Sequence, residues 1–298
     1  MRVKILKVIG LSLMSLLCIW VIFFFEVKDY PAGSSIAGII LGFSLPGVYH
    51  AAQDLTDTTR WKTSQRKLLR GGIIKRDTIV RISFAYLYRI KIGNKYLLVK
   101  NARGTGKYQP VGGVYKIYGN ERIELNNLFH VVDDSKVPID ESSRDDYRLQ
   151  LPCRYLRKFV SRFDGRKASR ERIDNVGREF REELGDVLSW EAIKYRYCGR
   201  HMTELKYSDH FQCYELLLAD IVELIPTDAQ NTELEGLRRQ TAESYRFASA
   251  EEIKCLGIVP GTDMLEEWIA DHSVKMLQEN QQYLSREPNA GEVFDVAI

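Results

Sequence analysis

The chain has 298 residues, 43 Lys and Arg against 40 Asp and Glu for a formal net charge of +3, and is 45% hydrophobic and 28% charged. That composition belongs to a folded chain, not to a disordered, collagen-like or low-complexity one, and no internal repeat is visible. Cys18, Cys153, Cys198, Cys213 and Cys255 form no C-x-x-C pair and the five histidines are scattered, a reduced cytosolic pattern that gives no support to a His or Cys metal site.

Hydrophobicity is concentrated at the start of the chain. Val8 to Phe25 and Tyr30 to Gln53 carry no charge and are separated only by Glu26-Val27-Lys28-Asp29. A spanning helix needs roughly 20 mostly apolar residues. The first stretch holds twelve Val, Ile, Leu and Phe residues, which favours insertion by about −4 to −7 kcal/mol. The second holds seven, giving about −2 to −4 kcal/mol before its polar residues are counted, so it wants a helix partner. Together they predict a transmembrane hairpin over residues 1–53, with spans at about 5–25 and 30–52. A signal peptide is the alternative, but no small-x-small cleavage site follows Phe25 and a second apolar stretch comes at once.

Cations flank both spans. Arg2, Lys4 and Lys7 precede the first, and Arg60, Lys62, Arg66, Lys67, Arg70, Lys75 and Arg76 follow the second with no acid from Thr58 to Arg76. The positive-inside rule then places both ends in the cytoplasm. Residues 54–76 read as a basic cytoplasmic linker that touches anionic lipid headgroups. Ser34, Gly38 and Gly42 recur every four residues in the second span, a small-residue face that lets another backbone approach, either the first span or another copy of the chain. Pro46 is placed to kink that helix.

Residues 77–298 form the soluble domain. Alternation from Thr78 to Arg89 predicts a long strand. Gly93-Asn94 then suits a two-residue turn into Lys95 to Lys100. Gly112-Gly113 follows, where paired glycines allow backbone to approach a ligand. The polar stretch 118–151 reads as an insertion with short elements. A helix is predicted from Pro152 to Phe163, and another from Arg170 to Leu184 with Ile173, Val176, Phe180 and Leu184 as its buried stripe. Strands follow at Ile193 to Cys198 and Phe211 to Leu218. Ser249 is positioned to cap the first of a last pair of helices, the tail after Tyr283 reads as frayed, and His201 and His210 read as surface polar residues.

On the central helix Glu179, Glu182 and Glu183 fall at i, i+3 and i+4, so three carboxylates share one face. Either a hard divalent cation, Mg²⁺ or Mn²⁺, sits among them, or they form a solvated acidic face paired with Arg178 and Arg181.

The run Arg178-Glu179-Phe180-Arg181-Glu182-Glu183-Leu184-Gly185 resembles the second half of the Nudix box, and Pro110-Val111-Gly112-Gly113 resembles its upstream companion. The first half departs from the pattern, since Gly165 lies one residue too close to Arg178 and Glu171 matches the family's upstream Glu only across a one-residue deletion. The resemblance implies an α+β fold of α/β/α sandwich type, with Glu179, Glu182 and Glu183 as metal ligands; in a hydrolysing member Glu182 would be catalytic. The whole chain, two spans, a linker and such a domain, also resembles the transmembrane Nudix effectors of bacterial cyclic-oligonucleotide anti-phage (CBASS) systems. What that implies is a receptor for a cyclic nucleotide second messenger whose hairpins form a homo-oligomer in the lipid bilayer of the inner membrane. Arg81, Phe84, Tyr86, Lys100, Arg103 and Gln109 are the candidate ligand contacts, cations for phosphates and aromatics for bases. The rivals are a membrane-anchored, Mg²⁺-dependent Nudix hydrolase and an adaptor that holds nucleic acid through the linker; no nucleic-acid polymer is expected as a partner.

Overall fold

The computed structural model describes residues 2–28, 30–56, 60–101, 106–136, 140–141, 143–240, 242–258, 268–277, 283–285, 287 and 289–298. The chain divides into two compact units, Met1–Lys67 and Leu68–Ile298.

The first unit holds α1 (Arg2–Val27) and α2 (Pro31–Thr56), both long and apolar enough to cross a membrane. They pack as an antiparallel pair. Ser15, Cys18, Ala37 and Ser44 are buried between them, and Ser15 and Ser44 share a hydrogen bond of 2.8 Å. Small residues bring the helices close: a Cβ on Gly33 would lie 2.7 Å from the Phe25 ring, and one on Gly47 would lie 3.5 Å from Leu11. The contact does not use the predicted small-residue face. A Cβ on Gly38 or Gly42 would have nothing within 4 Å, and Ser34 turns back to the Pro31 carbonyl. Leu13, Leu16, Trp20, Phe23, Ile36, Ile39 and Phe43 are exposed, as lipid-facing side chains are. The predicted linker is partly helical: α2 runs through Thr56 and α3 (Trp61–Arg70) follows.

In the second unit β1 (Ile79–Arg89) leads through Ile90 to a hairpin of β2 (Lys91–Ile92) and β3 (Lys95–Lys100), then β4 (Tyr108–Gln109) and β5 (Gly112–Val114). Gly93 makes the predicted turn at φ 60°. Next come α4 (Glu121–Phe129), β6 (Val132–Asp133), β7 (Arg148–Pro152), a 3₁₀ turn at Cys153–Tyr155, α5 (Leu156–Asp164) and α6 (Gly177–Leu184). The remainder is β8 (Ala192–His201), β9 (Lys206–Ser208), β10 (Cys213–Leu224), α7 (Asp228–Arg238), β11 (Tyr245–Ser249), α8 (Ala250–Lys254), a 3₁₀ segment at Asp271–Met276, β12 (Leu284–Ser285) and β13 (Val293–Ala297). Ser249 caps α8 through a capping box with Glu252.

Two sheets result. The larger runs β12-β8-β10-β1-β7-β6, with β13 also on β8, β5 on β1 and β9 on β10. The smaller runs β11-β3-β2, with β4 on β3. β1 and β10 are parallel, Val80 opposite Tyr214 through Arg89 opposite Glu223. Side chains alternate along β1, so its two faces do different work. Phe84 stacks on Phe163 of α5 at 3.6 Å and Tyr88 packs on Phe180 of α6 at 5.6 Å. On the other face Arg89, with no exposed surface, donates to the carbonyls of Met276 and Leu277 and pins the 3₁₀ segment down. Ile253 of α8 packs into the same cluster as Met276 and Leu277. This is the α+β sandwich expected from the sequence.

The stretch 118–151 carries short elements, and one of them, β7, pairs with β1 from Ile79–Pro152 to Ser83–Arg148, with Leu149 and Leu151 buried. Two expectations are corrected. Residues 170–176 are not helical: Glu171 N–H bonds to the Lys116 carbonyl at 2.8 Å and Arg170 bridges Ile117, and the chain then turns, with Asn175 N–H on the Arg172 carbonyl at 3.0 Å. The tail is not frayed: β13 pairs with β8 over five residues, and Val296 is 5% exposed.

Candidate functional site

The site is built where β5 meets α6. Gly112 and Gly113 lie opposite Leu87 and Tyr86 of β1. Their missing side chains are what admits the helix. A Cβ on Gly113 would stand 1.9 Å from Glu179 Oε1, and one on Gly112 would stand 2.2 Å from the Tyr86 carbonyl oxygen. Phe180 and Leu184 anchor the other side of α6 in the core, at 1% and 0% exposure. The glutamates are thereby left along the rim.

The three carboxylates take different partners. Glu183 accepts from Gly112 N–H at 2.9 Å and from the Gln109 side chain, and burial pushes its carboxyl up to about 8. Glu179 lies under Gly113 and accepts from Arg178 Nη1 at 2.6 Å; burial raises its carboxyl too. Glu182 is half exposed and accepts from the same Arg178 nitrogen at 3.2 Å.

Arg178 is the hub of this arrangement. Besides Glu179 and Glu182 it donates to the Val114 carbonyl at 3.2 Å and pairs with Glu171, Nε to Oε1 at 3.4 Å. Glu171 is 3% exposed, and burial raises its carboxyl despite the cation beside it. Sequence reading gave Arg178 only the role of a counter-ion on the helix surface. The signal for more was its place one residue before Glu179 with a lone upstream Glu to hold.

Tyr86 belongs to the same site, beneath it. The residue has no exposed surface, its hydroxyl has no hydrogen-bond partner among the described residues, and its phenol is raised by burial and then by Glu171. A ring so enclosed supports the carboxylates from below and offers no face to a base. Gln109 is drawn in through Glu183 and accepts from Asn101 at 2.6 Å.

The other candidate contacts lie elsewhere. Arg81 is buried on the opposite face of β1, paired with Asp134 at 2.7 Å and Glu215 at 3.0 Å and stacked over Phe211, so its charge is already met. Phe84 is core, enclosed by Phe163, Phe159 and Tyr147. Lys100 pairs with Glu243 at 2.7 Å on the surface, and Arg103 lies outside the described residues.

The donors are of the right kind for Mg²⁺ or Mn²⁺, three oxygen-bearing side chains on one turn. As arranged they do not make a cation site. Arg178 stands between Glu179 and Glu182, and Glu183 faces Gly112. Among the described residues no group of three His, Cys, Asp or Glu side chains gathers closely enough to hold a metal ion.

A family model described as the SMODS-associated NUDIX domain matches residues 79–277. Among curated proteins no sequence matches the chain. Similar solved structures include a UDP-X diphosphatase, at 9% identity over 94% of this chain and 95% of that one with a TM-score of 0.24. A hydrolase of the NUDIX family from Clostridium perfringens is 13% identical, over 70% of this chain and 98% of that one, with a TM-score of 0.18.

Proposed function

The chain belongs to the SMODS-associated Nudix family, and from that premise we propose that it is a membrane effector of a CBASS anti-phage system. Its Nudix domain binds a cyclic nucleotide second messenger, occupancy brings copies together, and their hairpins then assemble and disrupt the bacterial inner membrane, killing the infected cell. The observation that carries this reading is the joining, in one chain, of two membrane-length helices to a SMODS-associated Nudix domain. Cations on both flanks of the hairpin support a topology with both ends and the Nudix domain in the cytoplasm. The Ser34, Gly38 and Gly42 face, unused within the hairpin, is free to meet a second copy. A ligand drives such assembly only if it binds the assembled state more tightly than the resting one.

Arg178 and Gly112 occupy the carboxylates that a hydrolase would give to a metal. The three box glutamates nevertheless favour a second reading, a membrane-anchored hydrolase of a nucleoside diphosphate derivative, which requires Glu179, Glu182 and Glu183 to leave their present partners and gather on Mg²⁺ or Mn²⁺.

The two separate on one experiment with the purified full chain, a panel of cyclic di- and trinucleotides and nucleoside diphosphate derivatives, and Mg²⁺. Binding of one cyclic nucleotide without its consumption fits the receptor. Steady product release lost in Glu182→Gln contradicts it.

A further inference from the structure

The basic segment after the hairpin is one half of a larger cationic surface, and the other half comes from the start of α5. Residues 76–79 run beside residues 152–154. Ile79 of β1 is opposite Pro152 of β7, the Cys153 N–H donates to the Thr78 carbonyl at 2.9 Å, and the Arg154 N–H donates to the Arg76 carbonyl at 2.8 Å. Lys75 closes on the same strand end, its N–H donating to Thr78 Oγ1 at 2.8 Å. Leu156, Phe159 and Val160 hold the inner side of α5 in the core, so Arg157 and Lys158 turn outward, one turn on from Arg154.

Arg70, Lys75, Arg76, Arg154, Arg157 and Lys158 are all exposed. Across residues 68–79 and 151–160 the single acid is Asp77, which pairs with Arg154. These two segments therefore present a marked excess of positive charge. Two exposed isoleucines lie in the same stretch. Ile73, 63% exposed, is held in the turn after α3 by its N–H bond to the Leu68 carbonyl at 3.0 Å, and Ile79 is 48% exposed. Cations interleaved with exposed apolar side chains suit a bilayer interface, where lipid phosphates meet the charges and the acyl boundary meets the apolar groups.

Covalent reach selects the partner. α2 ends at Thr56, and α3, 10 residues long, runs from Trp61 to Arg70. The residues between the two helices and α3 itself reach at most about 30 Å. The cationic surface is thus tethered near the end of a membrane-length helix, which raises its effective concentration toward lipid above that toward a polyanion free in solution. We propose that Lys75 and Arg76, with Arg157 and Lys158 of α5, dock the Nudix domain on an anionic bilayer surface through lipid phosphates. This needs only that the hairpin lies in the membrane and is independent of the second messenger.

The test is lysine footprinting with an acylating reagent, read by mass spectrometry, on the full chain in nanodiscs of phosphatidylcholine alone or of phosphatidylcholine and phosphatidylglycerol in equal parts, with no nucleotide added. Modification of Lys75 and Lys158 should slow at least about fivefold in the anionic discs, the effect of a single cation at such a surface, while Lys194, on the surface against Asp295, changes less than about twofold. R76Q/R157Q should lose that protection. R76K/R157K keeps both charges and should retain it, which separates loss of charge from loss of fold. Equal modification in the two kinds of disc, or equal slowing of Lys194, overturns the proposal. Protection that a short DNA duplex produces in neutral discs and phosphatidylglycerol does not also overturns it, and assigns the surface to nucleic acid. The footprint contains no cyclic nucleotide, so its failure and that of the second-messenger reading are distinguishable.

Discussion

Ser15 Oγ and Ser44 Oγ lie 2.8 Å apart between the two membrane-length helices, and each hydroxyl also reaches a carbonyl of its own helix, Ser15 to Leu11 at 2.9 Å and Ser44 to Leu41 at 3.2 Å. Two hydroxyl protons serve these three contacts, so one serine donates across the pair, and on separation it can turn to the carbonyl of its own helix. Such a contact yields readily. Replacing both serines by Ala should weaken the pairing by about 0.6 to 1.7 kcal/mol. In a Cys18→Ala background, S15C/S44C should cross-link within one chain on oxidation, whereas G38C should cross-link only between chains and only when ligand is added. Intrachain cross-linking that never forms at 15 and 44 would contradict the packing.

Gly113→Ala tests the fit of β5 against α6. The added methyl falls 1.9 Å from Glu179 Oε1, and overpacking of this kind costs about 1 to 3 kcal/mol. Chemical denaturation should show that loss, and E179A should recover part of it by clearing the space. Equal stability of Gly113→Ala and wild type would mean that the glycine serves something other than this approach.

Arg178→Ala leaves Glu171, 3% exposed, without its cation. Removing one partner of a buried pair costs about 3 to 5 kcal/mol because the remaining charge is uncompensated. R178A/E171Q should be markedly more stable than R178A alone. A double variant no better than the single one would sink the pairing as the cause.

The box also fixes a pH dependence. Glu183 ordinarily releases its proton near 4.5, and burial in the fold raises that to about 8. Below 4.5 both folded and unfolded chains hold the proton and the group contributes nothing. Between 4.5 and 8 the folded state binds more protons than the unfolded one, so stability falls as pH rises, and above 8 the penalty is constant. E183Q should flatten most of that decline in thermal melts; the residue of slope belongs to Glu179 and Glu171, which burial raises in the same direction.

Much of this is written locally in the chain. The membrane-length helices follow from uncharged length, the Gly93 turn from a glycine between alternating runs, and the α8 cap from Ser249 three residues before Glu252. The failures share a cause: a distant partner decides. Residues 170–176 have a helical stripe, yet Arg170 and Glu171 pair with the distant Ile117 and Lys116, which sets their backbone away from the helix. β13 is five residues long and becomes a strand because β8 offers it an edge. On β1 both faces are buried, so alternation could not tell that Arg81 meets Asp134 and Glu215 while Tyr86 sits under the box. The i, i+3, i+4 spacing of the glutamates was legible; that Arg178 and Gly112 divide them was not.

The central proposal, that occupancy of the Nudix domain controls the packing of the hairpins, is tested most directly with the full chain in liposomes loaded with a self-quenched dye and exposed in turn to cyclic di- and trinucleotides. The account predicts sealed vesicles without ligand and dye release with one member of that panel. Vesicles that stay sealed with every cyclic nucleotide, or that leak equally with none, would contradict it.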